Sequence, residues 1–410
     1  MRSSATSLPR ADRWRRLLAA AAALSLSGCA TTPASIQADA PAHHAWASFD
    51  ADRITAAGAA GLADRAAARR MTIDDPVRIA SISKLVVALG VMRLVEQGKL
   101  DLDRDVSTWL GWPLRNAGFP DRPITLRLLL SHRSSLRDGI DYALPLGTDL
   151  RTALGAHDAW DGEHPPGGFF RYSNLNFPIV ASVMEAASGE RFDRLMARLV
   201  LKPLRLDACF NWTTCSEEKM ARAVVLYAAD GKVLRDDLKG RRPACPVVAA
   251  ADGSCDIAGY RLASNGAIFS PQGGLRISVA DLVKVGQLLL RRGRLADDSA
   301  FLSEASISAI TTPVWRYAAG NADTESGFYC GYGLSTQALA SCGASDDPFG
   351  DGRKRVGHAG DAYGLRSGLW IDAGRGTGIA YFATSLGEDP PRGRSSYRQA
   401  EEWLAARQLR

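Results

Sequence analysis

Residues 79–88 read IASISKLVVA and place Ser81 and Lys84 three positions apart at the start of an apolar run. Side chains three positions apart lie on one face of a helix, so the pattern predicts a helix over 81–96. A serine hydroxyl is a weak nucleophile until a base takes its proton. Burial and a nearby helix N-terminus both lower the pKa of a lysine, which can then act as that base. We therefore predict an activated serine here.

The serine–lysine spacing occurs twice, so the spacing alone does not identify the site. Ser216 and Lys219 also match it, but they lie in an acidic stretch that follows a cysteine. That copy indicates a solvated helix start, whereas a long apolar run follows Ser81. The two candidates are separated by what comes later in the chain.

Two later motifs offer groups that complete a site around Ser81. Residues 170–174 read FRYSN and follow a rigid PPGG loop, so Tyr172 is a candidate proton relay and Asn174 a candidate partner of Lys84. Residues 356–361 read VGHAGD, where glycines let a strand edge approach a ligand closely. Taken singly, each motif leaves an alternative open: Tyr172 as a half-buried core aromatic, and His358 as a structural histidine.

The order of the three motifs resembles the serine β-lactamase and penicillin-binding protein superfamily. The closest branch is the class C type, which includes D-amino-acid peptidases and family VIII carboxylesterases. Residues 128–136 (LLLSHRSSL) and 271–278 (PQGGLRIS) resemble two further family motifs, with Ser135 where the family has glycine. The resemblance runs from about residue 77 to 386.

The resemblance implies a serine hydrolase that forms an acyl-enzyme on Ser81, with Lys84 and Tyr172 as its general base and with no metal or organic cofactor. The backbone N–H groups of Ser81 and Asp361 would form the oxyanion hole. The substrate-binding and oxyanion residues implied in this way are Asn174, His358, Gly360 and Asp361.

The sequence departs from class C β-lactamases at residues 358–360, where HAG replaces KTG. A histidine is only partly charged at pH 7, so carboxylate recognition would pass to Lys354, Arg355 or Arg366. We therefore expect hydrolysis of a small-molecule ester, amide or peptidoglycan-derived substrate. A D-Ala-D-Ala carboxypeptidase or weak β-lactamase is the alternative. A catalytically inactive lipoprotein that binds peptidoglycan fragments or a partner protein is an alternative of another class.

The N-terminus predicts a lipoprotein signal peptide over residues 1–29. An arginine-rich segment precedes a ten-residue, largely apolar segment that is too short to span a bilayer, and the last residue of this segment begins the LSGC that ends at Cys29. This ending resembles the bacterial lipobox and implies a lipid on Cys29, with an ordinary secretory signal as the alternative. Ala30 points, by the same resemblance, to the outer membrane of a Gram-negative bacterium, facing the periplasm. The composition of residues 30–45 predicts a flexible tether to a domain at 46–410.

The formal charge of +6 gives no case for nucleic-acid binding. Residues 1–29 hold five arginines and one aspartate, so the rest of the chain carries only +2. Six cysteines follow Cys29, and an even number in an exported chain suggests disulfides with 15 connectivities. The nearest-neighbour choice is Cys209–Cys215, Cys245–Cys255 and Cys330–Cys342. A zinc site is the weaker alternative, because the chain has no CxxC.

The remaining patterns predict an α/β protein of the α+β type. Strands over 46–62 and near the C-terminus would form one antiparallel sheet from both chain ends, flanked by N- and C-terminal helices. A mainly helical lobe would be inserted at roughly 116–264, and the resemblance implies a β-lactamase/transpeptidase-like fold. Further helices are predicted at 124–130, 177–187, 192–200, 278–291 and 397–408, and further strands at 331–336, 364–371 and 377–384.

Overall fold

The computed structural model of the protein describes residues 39–409. The predicted signal peptide, Cys29 and residues 30–38 of the tether lie outside the described residues. The tether prediction is wrong at its end, because the first strand begins at His44, two residues before the expected start of the domain. His44 is 5% exposed and its Nδ1 lies 2.6 Å from the carbonyl oxygen of Pro41, so burial and pairing hold this segment in the domain.

Most of the strands are short, and the five that have seven residues or more lie side by side in one sheet. In chain order the strands are β1 (His44–Asp50), β2 (Ile54–Ala60), β3 (Leu62–Asp64), β4 (Arg69–Arg70), β5 (Val77–Arg78), β6 (Cys209–Phe210), β7 (Leu226–Tyr227), β8 (Val233–Arg235), β9 (Leu275–Ile277), β10 (Trp315–Arg316), β11 (Gly331–Tyr332), β12 (Gln337–Ala338), β13 (Val356–Ala362), β14 (Leu365–Asp372) and β15 (Thr377–Ala383).

The main sheet has eight antiparallel strands in the order β10-β11-β12-β13-β14-β15-β1-β2. The N-terminal strand β1 therefore lies beside the C-terminal strand β15, with His44 opposite Ala383 and Asp50 opposite Thr377. This confirms the prediction that both chain ends contribute to one antiparallel sheet. The predicted strand at 331–336 is only partly present, because only its first two residues form a strand, β11.

Six of the ten α-helices within residues 39–409 correspond to predicted ones, and the other four, none longer than eight residues, lie outside the predicted ranges. In chain order the helices are α1 (Ile82–Glu96), α2 (Ser107–Leu110), α3 (Leu126–Leu130), α4 (Leu150–Ala153), α5 (Asn176–Ser188), α6 (Phe192–Met196), α7 (Glu217–Ala221), α8 (Val279–Leu290), α9 (Glu304–Thr311) and α10 (Gln399–Ala405). The predicted helix at 192–200 changes after Met196 into a π-helical turn, Ala197–Leu201. None of the helices within residues 39–409 is long and apolar enough to cross a membrane.

Helices cover both faces of the main sheet. α1 and α8 pack on one face, where Leu369 and Ile371 of β14 join the larger core, and α10 packs on the other face with Trp370. Side chains alternate between the faces of a strand, so β14 supplies both cores. α1 is buried along almost its whole length, and this burial places Lys84 in the interior.

The inserted region at 116–264 holds α3 to α7 and long irregular loops. All three disulfides pair the cysteines that are nearest in sequence, Cys209–Cys215, Cys245–Cys255 and Cys330–Cys342, as predicted. A three-stranded sheet in the order β5-β9-β6 ties this region to the N-terminal end of α1.

Candidate active site

Ser81 lies at a strained turn between β5 and α1. Ile79 donates its N–H to the carbonyl of Leu275 at 3.0 Å, which extends the pairing of β5 to the edge of the turn. Ala80 then adopts φ = 53°, a left-handed conformation that is uncommon for alanine. Ser81 follows as the N-terminal cap of α1. The turn therefore presents the Ser81 hydroxyl to the cleft in front of the helix.

Lys84 is fully buried and points back to Ser81. Its Nζ lies 3.0 Å from Ser81 Oγ, 2.8 Å from Asn174 Oδ1 and 2.8 Å from the carbonyl oxygen of Gln272. Burial lowers the pKa of Lys84 to about 7, against a smaller opposing effect of Asp138.

The three partners of Lys84 define the direction of proton transfer. A neutral amine has two N–H donors and one lone pair. Asn174 Oδ1 and the Gln272 carbonyl accept only, so they take the two donors. The lone pair is left for the hydroxyl hydrogen of Ser81. Neutral Lys84 is therefore arranged to accept the serine proton.

The ring of Tyr172 lies against Lys84, with Nζ 4.9 Å from the ring centroid. Burial raises the pKa of Tyr172 far above its usual value, with smaller opposing effects of the neighbouring Ser81 and Tyr329. The phenol thus stays protonated at neutral pH. A protonated phenol can relay a proton but cannot act as a phenolate base, so of the two residues predicted to form the base, Lys84 has the pKa suited to that part near pH 7.

Asn174 is held in place by Asp138, which the motifs did not identify. Asp138 accepts hydrogen bonds from Asn174 Nδ2 (2.8 Å), from the backbone N–H groups of Asn174 and Leu175 (both 3.0 Å), and from Ser173 Oγ (2.8 Å). These bonds turn the Asn174 oxygen toward Lys84. The signal in the sequence was slight: an acidic residue two positions after the LLLSHRSSL stretch.

The structure places His358, which the sequence predicted to bind substrate, in the core behind the cleft. His358 is 1% exposed and does not line the cleft. Its Nε2 lies 2.7 Å from the Tyr332 hydroxyl, and its Nδ1 lies 2.5 Å from the carbonyl oxygen of Ala359. Burial, followed by the charge of Lys84, lowers the pKa of His358 to about 3. The ring is therefore neutral, and it packs in the core instead of facing the cleft.

His132 continues this buried chain. Its Nδ1 accepts the N–H of Ser173 and an amide hydrogen of Asn176, both at 3.1 Å. The ring proton therefore sits on Nε2 and is donated to the Tyr332 hydroxyl at 3.2 Å. Tyr332 in turn donates to His358. Sequence reasoning missed Tyr332, because its two partners are brought to it only by folding.

The second predicted oxyanion donor lies at the edge of β13. β12 pairs with β13 only at Val356 and Gly357. Ala359 donates its N–H to Gln337 Oε1 at 2.9 Å on that same edge. Because N–H groups alternate sides along a strand, the N–H of Asp361 also points to this edge, where β12 has ended. The structure thus brings Gly360 and Asp361 beside Ser81, as predicted.

Gly360 is required by close packing. A Cβ on Gly360 would lie 2.3 Å from Ser367 Oγ and 2.5 Å from the carbonyl oxygen of Ile79. We expect Gly360→Ala to displace β13 from the Ser81 turn and to lower kcat about 100-fold, the effect of losing one oxyanion donor. Steady-state kinetics measure this effect. Gly162→Ala is the control, because open space surrounds Gly162. Equal activities of the two variants would contradict the prediction.

The site opens into a cleft of about 1030 Å³. Ser81, Tyr172, Asn174, Gly360 and Asp361 line its floor. The rest of the lining combines charged side chains, such as Arg78 and Glu325, with apolar and aromatic ones, such as Val247 and Phe328. The arrangement can activate a serine, hold an oxyanion and accommodate a substrate of substantial size.

The Beta-lactamase family profile matches residues 42–402. Esterase EstB of Burkholderia gladioli is 34% identical over 182 residues, which cover 40% of this chain and 45% of that protein. Penicillin-binding protein 4 of Amycolatopsis lactamdurans is 26% identical over 277 residues, which cover 67% of this chain and 65% of that protein. The chain thus matches less than two thirds of the length of these relatives.

The D-amino acid amidase of Ochrobactrum anthropi SV3 has a similar solved structure. It superposes with a TM-score of 0.64 at 19% identity, covering 90% of this chain and 92% of the amidase. At this identity the likeness establishes the fold, which is the β-lactamase/transpeptidase-like fold implied by the order of the sequence motifs.

Proposed function

The chain belongs to the Beta-lactamase family, and on that premise we propose that it is a serine hydrolase acting on an ester or amide through an acyl-enzyme on Ser81. The observation that carries the proposal is the contact of 3.0 Å between Lys84 Nζ and Ser81 Oγ, with the pKa of Lys84 lowered by burial to about 7. An esterase among the relatives supports the same class of reaction.

In acylation the Oγ–carbon bond of Ser81 forms, the bond from carbon to the leaving group breaks, and a proton moves from Ser81 to the leaving group. Lys84 takes the hydroxyl proton of Ser81, and Oγ attacks the substrate carbonyl carbon. The N–H groups of Ser81 and Asp361 stabilise the oxyanion. The proton then passes from Lys84, through Tyr172, to the leaving oxygen or nitrogen as its bond to carbon breaks. Water releases the acyl group in a second round through the same base.

The proposal is tested by intact-mass spectrometry. The protein is incubated separately with a p-nitrophenyl ester, a fluorophosphonate and a penicillin. We expect the fluorophosphonate adduct to map to Ser81, together with turnover of the ester. Absence of an adduct with all three reagents would overturn the acyl-enzyme mechanism. Rapid turnover of penicillin would favour the D-Ala-D-Ala carboxypeptidase or β-lactamase alternative, which the penicillin-binding relative also supports.

The proposal predicts how the activity depends on pH. Lys84 must be neutral to accept the proton, so the rate should be lost as pH falls through about 7 and should reach a plateau above it. A pH profile of kcat/KM on a neutral ester measures this limb. Glu325 is the competing group, because burial raises its pKa to about 7 in the same cleft. The limb should therefore persist in Glu325→Gln, and a profile flat from mildly acidic to basic pH would contradict the prediction.

We also propose that the protein is lipid-anchored through Cys29 at the outer membrane and faces the periplasm. The signal sequence supports this location, and three disulfides are typical of an oxidising compartment.

Cys29→Ala should release the protein from the membrane fraction. The reason is that no acyl chain can then be attached, and the ten-residue, largely apolar segment before Cys29 is too short to span the bilayer. Labelling with a fatty-acid analogue and fractionation of the membranes measure both effects. Cys209→Ala is the control, since it removes a different cysteine. Equal labelling of wild type and Cys29→Ala would refute the anchor.

A further inference from the structure

One wall of the cleft, beside the Ser81 turn, is rich in arginine. It contains three arginines and two carboxylates, namely Arg78, Arg235, Arg276, Asp236 and Asp237. The way these five side chains pair leaves the wall with positive charge that faces the substrate space.

Asp236 is fully occupied by other partners. It accepts from Arg276 Nε (3.2 Å) and Nη2 (2.9 Å), and from Trp212 Nε1 (2.9 Å). Asp237 lies 4.0 Å from Lys239. Neither carboxylate therefore bonds Arg78 or Arg235.

Arg78 has no hydrogen bond or ion pair from its side chain to any residue within 39–409, and its Nε is buried without a partner. Its guanidinium lies 5.2 Å from the ring centroid of Tyr363, and that of Arg235 lies 4.8 Å from the same ring. Arg235 also donates to the Tyr363 hydroxyl at 3.2 Å. Burial and then the charge of Arg276 lower the pKa of Arg78 to about 10, so it remains a cation at neutral pH. The stack holds two cations together, and the nearby Asp236, whose charge also acts on Arg78, is hydrogen-bonded to Arg276 instead.

This cation is close to the reaction centre. Arg78 precedes Ser81 by three residues, so their Cα atoms are at most about 10 Å apart. The three basic residues expected from the sequence to bind a carboxylate do not offer this. Lys354 is exposed outside the cleft, Arg355 is buried against Asp351, and Arg366 pairs with Asp361.

We propose that Arg78, supported by Arg235 across Tyr363, binds a carboxylate of the substrate and makes the enzyme selective for anionic esters or amides. This rests on the proposed function. A planar guanidinium with free N–H groups matches a carboxylate in charge and geometry. Asp138 and Glu325 also line the cleft, so selectivity for a cationic substrate is the competing outcome.

Three esters of matched length test the proposal: p-nitrophenyl hexanoate, mono-p-nitrophenyl adipate and p-nitrophenyl ε-aminohexanoate. We expect wild type to have its highest kcat/KM on the adipate ester. The ratio of adipate to hexanoate should fall about tenfold in Arg78→Gln, the loss expected for one charge-assisted hydrogen bond. Arg235→Gln should lower it less, and Arg78→Lys should keep part of it. Arg53→Gln removes the same charge at an exposed turn outside the cleft and should leave the ratio unchanged.

A preference for the amino or neutral ester in wild type would overturn the proposal, as would an unchanged ratio in both Arg78→Gln and Arg235→Gln. Calorimetric titration of Ser81→Ala with adipate separates this proposal from the proposed function. Binding that is lost in Ser81→Ala/Arg78→Gln supports the carboxylate site even if no ester is hydrolysed. Absence of adipate binding together with normal ester turnover would refute the carboxylate site alone.

Discussion

A Ser81→Ala variant should lose ester hydrolysis by a factor on the order of 10⁴ or more, because no other group in the site can form the acyl-enzyme. Lys84, Asn174 and Asp361 would keep their positions, since the side chain of Ser81 makes only the contact with Lys84 among the hydrogen bonds at its hydroxyl. The loss should therefore appear in kcat, with little change in thermal stability. Kinetics on a p-nitrophenyl ester and adduct mapping with a fluorophosphonate measure it.

The chain supplies a matched control for this prediction. Ser216 has the same spacing to Lys219, yet its hydroxyl caps α7 by accepting the N–H of Lys219 at 3.2 Å and donates to Asp207. Ser216→Ala should cost about 1 kcal/mol of stability, as for other lost helix caps, and should leave hydrolysis unchanged. A fluorophosphonate adduct on Ser216, or full activity in Ser81→Ala, would show that Ser81 is not the nucleophile.

A Lys84→Met variant should lower kcat/KM by about 10²–10⁴, the usual contribution of a general base. Methionine fills similar space but has no lone pair for the serine proton. The residual activity should no longer rise through the pH of about 7 at which Lys84 titrates in wild type. Lys84→Arg should not restore activity, because a guanidinium stays protonated.

Lys219→Met is the control for this second variant. Lys219 Nζ bonds the carbonyl of Asp74 at 3.2 Å and lies 3.7 Å from Asp281, outside the cleft. Its replacement should leave both the rate and the pH profile as in wild type. A Lys84→Met variant that keeps the wild-type pH limb would assign the base to another residue.

The neutral surroundings of Lys84 explain how a lysine can serve as a base near pH 7. His132 and His358 both lie in its environment, and burial lowers the pKa of each well below the usual range. Their neutral rings, linked through Tyr332, add no charge of either sign near Lys84. Desolvation therefore dominates, and a negative partner close enough to raise the pKa strongly is absent from the hydrogen bonds that Lys84 makes.

Local pattern was enough to predict much of the fold. Apolar runs predicted α1, α5 and α8 to within one or two residues, because a helix buried in a core needs continuous apolar surface. The nearest-neighbour disulfides were predicted from the spacing of the cysteines alone, since short loops close at low entropic cost. The predicted strand at 331–336 failed, because two-residue strands carry too little periodicity to be recognised.

The order of the motifs along the chain predicted Ser81 rather than Ser216 as the nucleophile. It also predicted that Lys84, Tyr172 and Asn174 lie around Ser81, and the structure brings these residues together because each motif lies at the end of a helix. The orientation of His358 and the pairing of the arginines had to come from the folded molecule. His358 turns inward because Tyr332, 26 residues earlier in the sequence, donates a hydrogen bond to its Nε2 in the core. Arg78 can bind a ligand because Asp236 accepts hydrogen bonds from Arg276 and not from Arg78. Burial and pairing depend on which distant side chains meet, and one-dimensional spacing carries no record of that.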